Sequence, residues 1–276
     1  MWKNFTKEQL DAAYNNSKAV DKSSEIIQAW QQSSLEVKNV RSFQTDIPYS
    51  KEPFPAFDFY LADKDAPTIA FIHGGFWQMR SKDDFAFIVP ALLEKNINVA
   101  MLGYRLAPSA SMDQIVIDIN NGINSLVTFV QKNQFKSQNF WLVGWSAGAH
   151  LASMQIHHPK VNGVTAISGI YDLEPMRFCY VNDQLKLDEA MSNRNSPIHL
   201  LQHPTKIIDI FVGSNELPEM QKQSTNYFDY RNNLNLPGTF KSVPSKNHYS
   251  ILDELKNTDG VILNQLMERI THSSNS

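Results

Sequence analysis

The 276-residue chain has little cysteine, no long apolar run and no excess of charge of either sign. Cys179 is the single cysteine, which excludes an internal disulfide and a zinc site built from cysteines. The longest apolar run, Phe85–Leu93, is interrupted by Pro90 and falls far short of the ~20 residues that a membrane span needs. The N-terminus has neither the apolar stretch nor the small-residue cleavage pattern of a signal peptide. These absences predict a cytoplasmic protein without a membrane partner.

The charge pattern narrows the expected partners further. The 25 Lys and Arg residues nearly balance the 28 Asp and Glu residues, which gives a formal net charge of −3. No basic stripe stands out along the chain, so nucleic acid is not an expected partner. A hydrophobic content of 42% is that of an ordinary globular protein. We therefore expect a small molecule as the ligand and leave a homodimer open.

Short apolar runs alternate with amphipathic stretches along most of the chain. Residues 7–36 have apolar positions spaced at threes and fours, which predicts a helical N-terminal segment interrupted near residues 17–24. The expected strands are Phe57–Leu61, Thr68–Ile72, Asn98–Leu102, Asn139–Val143, Gly163–Ile167 and Ile207–Val212. The expected helices are Asp83–Glu94, Asp113–Gln131, Ala147–Ile156, Glu219–Leu234 and Gly260–Ile270. This alternation predicts a single α/β domain over residues 1–276, with a mostly parallel sheet and helices on both faces.

The stretch at residues 172–201 departs from that rhythm. It contains Pro175 and Pro197, many polar residues and no strand pattern. An excursion of this length within a compact domain is typical of a functional insertion. We expect it to form a small lid that roofs the active site together with the N-terminal helical segment.

The sharpest motif is GWSAG at residues 144–148, which directly follows an expected strand and opens an expected helix. A nucleophile elbow requires this context, because a sharp strand-to-helix turn exposes the serine hydroxyl above the sheet. Side chains at Gly144 and Gly148 would collide with such a turn. The motif therefore predicts Ser146 as a catalytic nucleophile.

A second motif, HGGFW at residues 73–77, follows the expected strand Thr68–Ile72. Hydrolysis through an oxyanion needs two or more N–H donors that are already positioned where the charge develops. Ala147, directly after the serine, can supply one donor, and a glycine pair lets the backbone of this loop approach the substrate. We therefore predict an oxyanion hole formed by Gly74, Gly75 and Ala147.

A serine nucleophile also needs a general base, and eight histidines are available. His248 follows the run Thr239–Val243 and precedes the last expected helix, which suits a chain order of serine, acid and histidine. The others belong to the oxyanion loop, lie on the elbow helix, precede every suitable acid or fall in the polar tail: His73, His150, His157, His158, His199, His203 and His272. Position and elimination therefore favour His248 as the base.

The acid of the triad should follow the expected strand Ile207–Val212. Glu216 lies at the carboxyl end of that strand, where the sites of open α/β sheets collect. Glu219 has the place of a first-turn helix residue favoured by the helix dipole, whereas Asp209 lies within the strand and Asp229 on a later helix. We predict Glu216 as the acid, with Glu219 and Asp209 as alternatives.

Aromatic side chains are common in the same loops. Phe76 and Trp77 follow the oxyanion glycines, Tyr171 follows a strand end, and Trp145 precedes the serine. Loop residues at strand ends often line pockets, so we predict Phe76, Trp77 and Tyr171 as substrate contacts. Trp145 and Cys179 are interpreted as packing residues.

Together these motifs resemble the kynurenine formamidase (arylformamidase) branch of the α/β-hydrolases. The resemblance rests on HGGFW at 73–77, GWSAGAHL at 144–151, YDLEP at 171–175 with NSP at 195–197, and NHYSILDEL at 247–255. It also includes YNN at 14–16 and YRLAP at 104–108, so it covers nearly the whole chain. The chain departs from the branch at two positions: Glu216 stands where aspartate is usual, and Phe76 where tyrosine is common.

The resemblance implies an α/β-hydrolase fold and a serine hydrolase with Ser146, Glu216 and His248 as its triad. It implies an aryl formamide such as N-formylkynurenine as the substrate, with a carboxylesterase acting on small short-chain esters as the alternative. A hydrolase-like protein that binds a ligand without turnover is a hypothesis of a different class. Neither a metal nor an organic cofactor is expected, because the triad chemistry is complete without one.

Overall fold

Eight strands form one sheet through the centre of the computed structural model, which describes residues 2–41, 43–51, 55–136, 140–200 and 206–273. The strands are β1 Gln44–Pro48, β2 Ala56–Tyr60, β3 Thr68–Ile72, β4 Asn98–Leu102, β5 Phe140–Trp145, β6 Val161–Ile167, β7 Ile207–Gly213 and β8 Phe240–Val243. Their order across the sheet is β1-β2-β4-β3-β5-β6-β7-β8. β2 is antiparallel to both of its neighbours, and the pairs from β4 through β8 are parallel. The expectation of a mostly parallel sheet is confirmed.

Helices connect these strands and cover the sheet. The α-helices are α1 Lys7–Ala13, α2 Asn16–Ala19, α3 Ser23–Arg41, α4 Val89–Glu94, α5 Met112–Lys132, α6 Ala147–Met154, α7 Asn182–Leu185, α8 Glu189–Arg194, α9 Pro218–Asn233, α10 Asp253–Lys256 and α11 Val261–Ser273. Short 3₁₀ helices span Lys82–Asp84, Ala86–Ile88, Glu174–Phe178, Pro197–His199 and Ser250–Leu252. Among the helices of the described residues, none combines the length and the hydropathy of a membrane span.

Local sequence signals set where the main helices begin. Ser111 caps α5, because its hydroxyl accepts the backbone N–H of Gln114 at 3.4 Å while the Gln114 side chain accepts the backbone N–H of Ser111 at 2.9 Å. Pro218 occupies the first turn of α9, where its missing N–H is not needed. These signals set where the helices begin, and the helices hold the loops at the carboxyl edge of the sheet in place.

The core has two layers, one on each face of the sheet. Along β3, Ala70 and Ile72 belong to the layer under α5, α6 and α9, whereas Ile69 and Phe71 belong to the layer under α3, α4 and α11. All five residues of β3 are buried, as expected for a central parallel strand covered on both faces. The prediction of helices on both faces is therefore confirmed.

Three local expectations need correction. The N-terminal segment is broken around Tyr14 and again at residues 20–22, and its last helix continues to Arg41. β1 was not expected, because Gln44–Pro48 is a half-exposed edge strand with a polar sequence that ends in a proline. The run Phe240–Val243 pairs with β7 as an outer strand. Asn139, the first residue of one expected strand, lies outside the described residues.

Residues 172–201 contain short helices and, in their described part, no strand. Their apolar side chains, such as Met176 and Leu185, are buried in the core layer that also contains Leu10 and Tyr14 of the N-terminal segment. The start of the N-terminal segment therefore packs on the same face of the sheet as residues 172–201, whereas its helix α3 packs on the opposite face. The lid function of this stretch and the single-domain organisation stay predictions.

Candidate active site

Ser146 lies at the turn between β5 and α6, above the carboxyl edge of the sheet. Its backbone has φ 57° and ψ −120°, a strained left-handed conformation, and its N–H donates to the carbonyl of Ile167 at 2.8 Å. Gly148 allows α6 to approach β3, because a Cβ there would stand 1.9 Å from the Ile72 carbonyl oxygen. This is the geometry of a nucleophile elbow.

The hydroxyl of Ser146 belongs to a buried chain of hydrogen bonds. His248 Nε2 lies 3.0 Å from Ser146 Oγ, and His248 Nδ1 lies 2.7 Å from Glu216 Oε2. Ser146, His248 and Glu216 are 1%, 4% and 5% exposed, so water competes little for these bonds. Because Nδ1–H donates its hydrogen bond to Glu216, Nε2 is left to accept the hydrogen bond of the Ser146 hydroxyl. The structure thus brings together the three residues that the sequence predicted as a triad.

The alternative carboxylates have other partners. Glu219 lies in the first turn of α9 and forms an ion pair with Lys222 at 2.6 Å. Asp209 is buried within β7 and is bound by Arg269 at 2.8 Å. Asp229 is exposed on α9. Of these carboxylates, only Glu216 contacts His248.

Ser168 is a site residue that sequence reasoning missed. It follows β6, has φ 53°, and its hydroxyl donates to Glu216 Oε1 at 2.5 Å. The backbone N–H of Gly213 donates to the same oxygen at 2.7 Å. These two bonds leave Oε2 for His248 and hold the carboxylate in one orientation. The feature of the sequence that could have indicated Ser168 is a small polar residue at the carboxyl end of the strand next to the elbow strand.

The HGGFW loop turns sharply beside the serine. Gly75 has φ 119°, and a Cβ at this position would stand 2.1 Å from the Met79 carbonyl oxygen, so only glycine fits. The His73 ring lies 2.7 Å from the carbonyl of Gly74 through Nδ1 and stacks on Tyr104 with ring centroids 4.3 Å apart. Burial lowers the pKa of His73 to about 4, so its ring is neutral and braces the loop.

A narrow cavity of about 30 Å³ opens onto the hydroxyl of Ser146. Its wall comes from the N-terminal segment, the HGGFW loop, the elbow and the loop of His248: Asn16, Ser17, Ile27, Gly75, Phe76, Met79, Arg80, Trp145, Ser146, His248 and Tyr249. In the described part of the chain, residues 172–201 contribute none of these lining residues. Gly75 lines the cavity, whereas Gly74 packs against Trp145. Ala147 is the first residue of α6, where the N–H has no partner within the helix.

Of the three predicted substrate contacts, only Phe76 lines the cavity. Trp77 is 0% exposed, and its indole N–H donates to His150 Nδ1 at 3.1 Å. Tyr171 is also 0% exposed and stacks on Tyr227 with ring centroids 4.4 Å apart. The expectation that Trp77 and Tyr171 line the cavity is corrected, because both rings are enclosed in the core behind it.

Among the residues that the structure describes, His248 is the only histidine on the wall of the cavity at Ser146. His150 donates through Nε2 to the Asn195 carbonyl at 2.7 Å, and burial lowers its pKa to about 4. His158 is also buried, and its Nε2 lies 3.2 Å from Asn124 Oδ1. His203 and the side chain of His272 lie outside what the structure describes.

One cluster of carboxylates could suggest a metal ion, but lysines already neutralise it. Oxygens of Asp46, Asp58 and Asp83 lie within 4.8 Å of one another. The Lys82 ammonium lies 2.8 Å from both Asp46 and Asp58, and the Lys38 ammonium 2.5 Å from Asp83. A metal ion there would be repelled by the two ammonium groups, so this cluster is an ion-pair network.

Comparison with known proteins identifies the family of the chain. Residues 57–226 match the model of the BD-FAE family. The chain is 31% identical over 295 residues to kynurenine formamidase of Danio rerio, and the match covers 99% of each chain. It is 30% identical over 281 residues to kynurenine formamidase of Salmo salar, covering 94% of each chain. A crystal structure of a thioesterase candidate from Silicibacter sp. tm1040 superposes with a TM-score of 0.83 at 23% identity, covering 95% of this chain and 99% of that one.

The fold and the serine elbow define a hydrolytic enzyme of the α/β-hydrolase type. The structural neighbour establishes the fold alone, since its identity is low, whereas the sequence matches extend over the whole chain. The chain belongs to the BD-FAE family and, within the α/β-hydrolases, to the kynurenine formamidase branch.

Proposed function

We propose that this enzyme is a serine hydrolase that cleaves aryl formamides such as N-formylkynurenine, with Ser146, Glu216 and His248 as its triad. The observation that carries the proposal is the unbroken chain of bonds from Ser146 through His248 to Glu216, at 3.0 and 2.7 Å. Formamide chemistry is supported by the relatives that match over the whole chain and are named kynurenine formamidases.

In the first half of the reaction, Ser146 Oγ attacks the formyl carbon while His248 Nε2 takes the hydroxyl proton. Glu216 stabilises the resulting imidazolium and keeps the ring oriented. When the tetrahedral intermediate collapses, the C–N bond breaks and His248 returns the proton to the departing arylamine nitrogen. The product on the enzyme is a formyl ester of Ser146.

In the second half, a water molecule attacks the formyl ester and His248 again accepts the proton. The C–O bond to Ser146 breaks, the serine recovers its proton from His248, and formate leaves. Both tetrahedral intermediates carry an oxyanion, for which we propose the N–H groups of Gly75 and Ala147 as donors, with Gly74 as the remaining predicted member. Gly75 is the best supported of the loop donors because it lines the cavity.

The size of the cavity supports a small acyl group. A volume of about 30 Å³ holds little more than one water molecule. A formyl carbon carries only hydrogen, so it fits beside Ser146 where a longer acyl chain meets the ring of Phe76. The same triad can attack small esters. The size of the acyl group therefore distinguishes substrates better than whether the bond is an amide or an ester.

The test measures kcat/KM for N-formylkynurenine and for p-nitrophenyl esters of increasing chain length. We expect turnover of the formamide and rates on esters that fall steeply beyond acetyl. Preference for octanoyl esters without formamide turnover would identify a general esterase instead. Labelling with a fluorophosphonate probe is the companion measurement: a protein that only binds its ligand leaves Ser146 unmodified.

A further inference from the structure

Asn16 is a buried amide on the wall of the cavity whose hydrogen-bonding groups are both unused. It is 3% exposed and lines the same cavity as Ser146 and His248. Among the described residues, neither its Oδ1 nor its Nδ2 has a hydrogen-bond partner. Burying an unpaired polar group destabilises a fold, so such a group on the wall of a cavity calls for an explanation.

The residues around Asn16 show that its position is well fixed. Asn15 caps α2 by accepting the backbone N–H of Lys18 at 3.1 Å. The hydroxyl of Ser17 lies 2.9 Å from that of Tyr249, which directly follows His248. The segment is thus tied to the loop that bears His248, and its neighbouring polar side chains have partners. Among the described buried side chains of this segment, the amide of Asn16 alone is left unpaired.

The buried amide of Asn98 behaves differently. Asn98, at the opposite edge of the sheet, accepts the N–H of Ala62 at 2.7 Å and donates to the carbonyls of Asp63 and Ala66. Asn98, which supports the fold, therefore uses both ends of its amide. Asn16 uses neither, which leaves its donor and its acceptor for a molecule in the cavity.

We propose that Asn16 is a substrate-binding residue that accepts the N–H of the scissile amide through Oδ1. Its Nδ2 then donates to an acceptor on the amine half of the substrate. An ester has no hydrogen on the bridging oxygen, so this contact favours a secondary amide over the corresponding ester. The proposal rests on the proposed function and names the group by which the site selects a formamide.

The experiment compares formanilide with phenyl formate, which share the formyl and phenyl groups and differ in the bridging N–H or oxygen. Asn16→Leu keeps a similar volume and removes both polar groups. We expect kcat/KM for formanilide to fall about ten-fold, while the value for phenyl formate falls less than about three-fold. The thermal midpoint of Asn16→Leu should be unchanged or higher, because no bond within the protein is lost.

Two further variants separate binding from packing. Asn16→Asp retains an acceptor of the same shape and should keep the formanilide-to-ester ratio closer to the wild-type value than Asn16→Leu does. Asn98→Leu is the matched change at an amide with partners, and it should lower the thermal midpoint while leaving that ratio unchanged.

The outcomes distinguish this inference from the proposed function. If wild-type protein hydrolyses formanilide and Asn16→Leu lowers both substrates equally or not at all, the role of Asn16 is overturned and the formamidase proposal stands. If Asn16→Leu lowers the thermal midpoint as much as Asn98→Leu, the residue has a structural role instead. If wild-type protein hydrolyses no formamide, both proposals fail together.

Discussion

Two sets of side chains meet at the carboxyl edge of the sheet, one facing the cavity and one directly behind it. The cavity face consists of Asn16, Phe76, Ser146 and His248. The backing layer consists of His73, Trp77, Tyr104 and His150. Phe76 and Trp77 are adjacent in sequence yet belong to different sets. One position of the loop therefore lines the cavity and the next supports it from behind.

The two sets differ in how completely their polar groups are paired. In the backing layer, the Trp77 indole donates to His150, which donates to the Asn195 carbonyl, and the Tyr104 hydroxyl donates to the His73 carbonyl at 2.9 Å. On the cavity face, Asn16 has no partner among the described residues, and Ser146 is held at φ 57°, as Trp77 behind it is held at φ 61°. Strain of this kind persists only where the surroundings enforce it. The comparison teaches that the paired side chains of the backing layer stabilise a cavity face whose own conformation is energetically unfavourable.

Ser146→Ala changes the cavity face and should have the largest effect on the rate of all the variants. Loss of the nucleophile of a triad costs on the order of 10⁴–10⁶ in kcat. The thermal midpoint should stay close to the wild-type value, because the hydroxyl forms no bond on which the core depends. Steady-state kinetics and calorimetry measure the two quantities. Ser153→Ala, on the same helix, is the control and should keep full activity; near wild-type turnover by Ser146→Ala would overturn the mechanism.

Glu216→Gln should give the next largest effect. The amide can stabilise the wrong tautomer of His248, so we expect kcat to fall about 10³–10⁴-fold. Glu219→Gln removes a partly exposed ion pair with Lys222 and should change kcat by less than about two-fold. Parallel kinetics of the two variants measure this difference. The opposite ranking would move the acid to Glu219 and leave the fold unchanged.

Phe76→Ala and Trp77→Phe compare the two sets directly. Removing the Phe76 ring enlarges the cavity, so the penalty on longer acyl chains, roughly 10–200-fold in kcat/KM, should shrink. Trp77→Phe keeps an aromatic ring but leaves His150 Nδ1 without its donor, so it should lower the thermal midpoint by a few degrees and leave the chain-length preference unchanged. A series of p-nitrophenyl esters gives the preference. A change of preference in Trp77→Phe alone would reverse the assignment of the two residues.

The sequence predicted the cavity face better than the backing layer, for physical reasons. The elbow serine and the glycines are fixed by short-range backbone geometry, which leaves a pattern such as GWSAG in the sequence. Trp77 and Tyr171 were misplaced because sequence position at a strand end does not tell whether a ring faces the cavity or the core.

Contacts over long sequence separations were also missed. Ser168 lies 48 residues from Glu216, and no local pattern indicates that its hydroxyl holds that carboxylate. The edge strand β1 was also missed, because its residues are exposed or half-exposed and form no apolar pattern that could be detected. What the sequence predicts well is therefore what short-range geometry alone determines.

The smallest expected effect concerns the charge state of the backing layer. Burial lowers the pKa of His73 and of His150 to about 4, compared with about 6.5 for an ordinary histidine. Between these values the unfolded chain binds more protons than the folded one, so the free energy of unfolding falls as the pH drops from about 6.5 towards 4. Above about pH 6.5 both rings are neutral in either state, and their contribution to stability is complete.

His150→Gln should reduce this pH dependence. Glutamine offers one acceptor for Trp77 and one donor for the Asn195 carbonyl but does not titrate, so the slope of unfolding free energy against pH should decrease by up to one proton, about 1.4 kcal/mol per pH unit. Urea unfolding of wild type and variant at several values between pH 4 and 7 measures the slope. His158→Gln is the control, because the pKa of His158 is also lowered by burial but this residue is 7% exposed against 0% for His150. Its variant should change the slope less. An unchanged slope in His150→Gln would mean that the ring is protonated within the folded backing layer, and the neutral support assigned to it would be wrong.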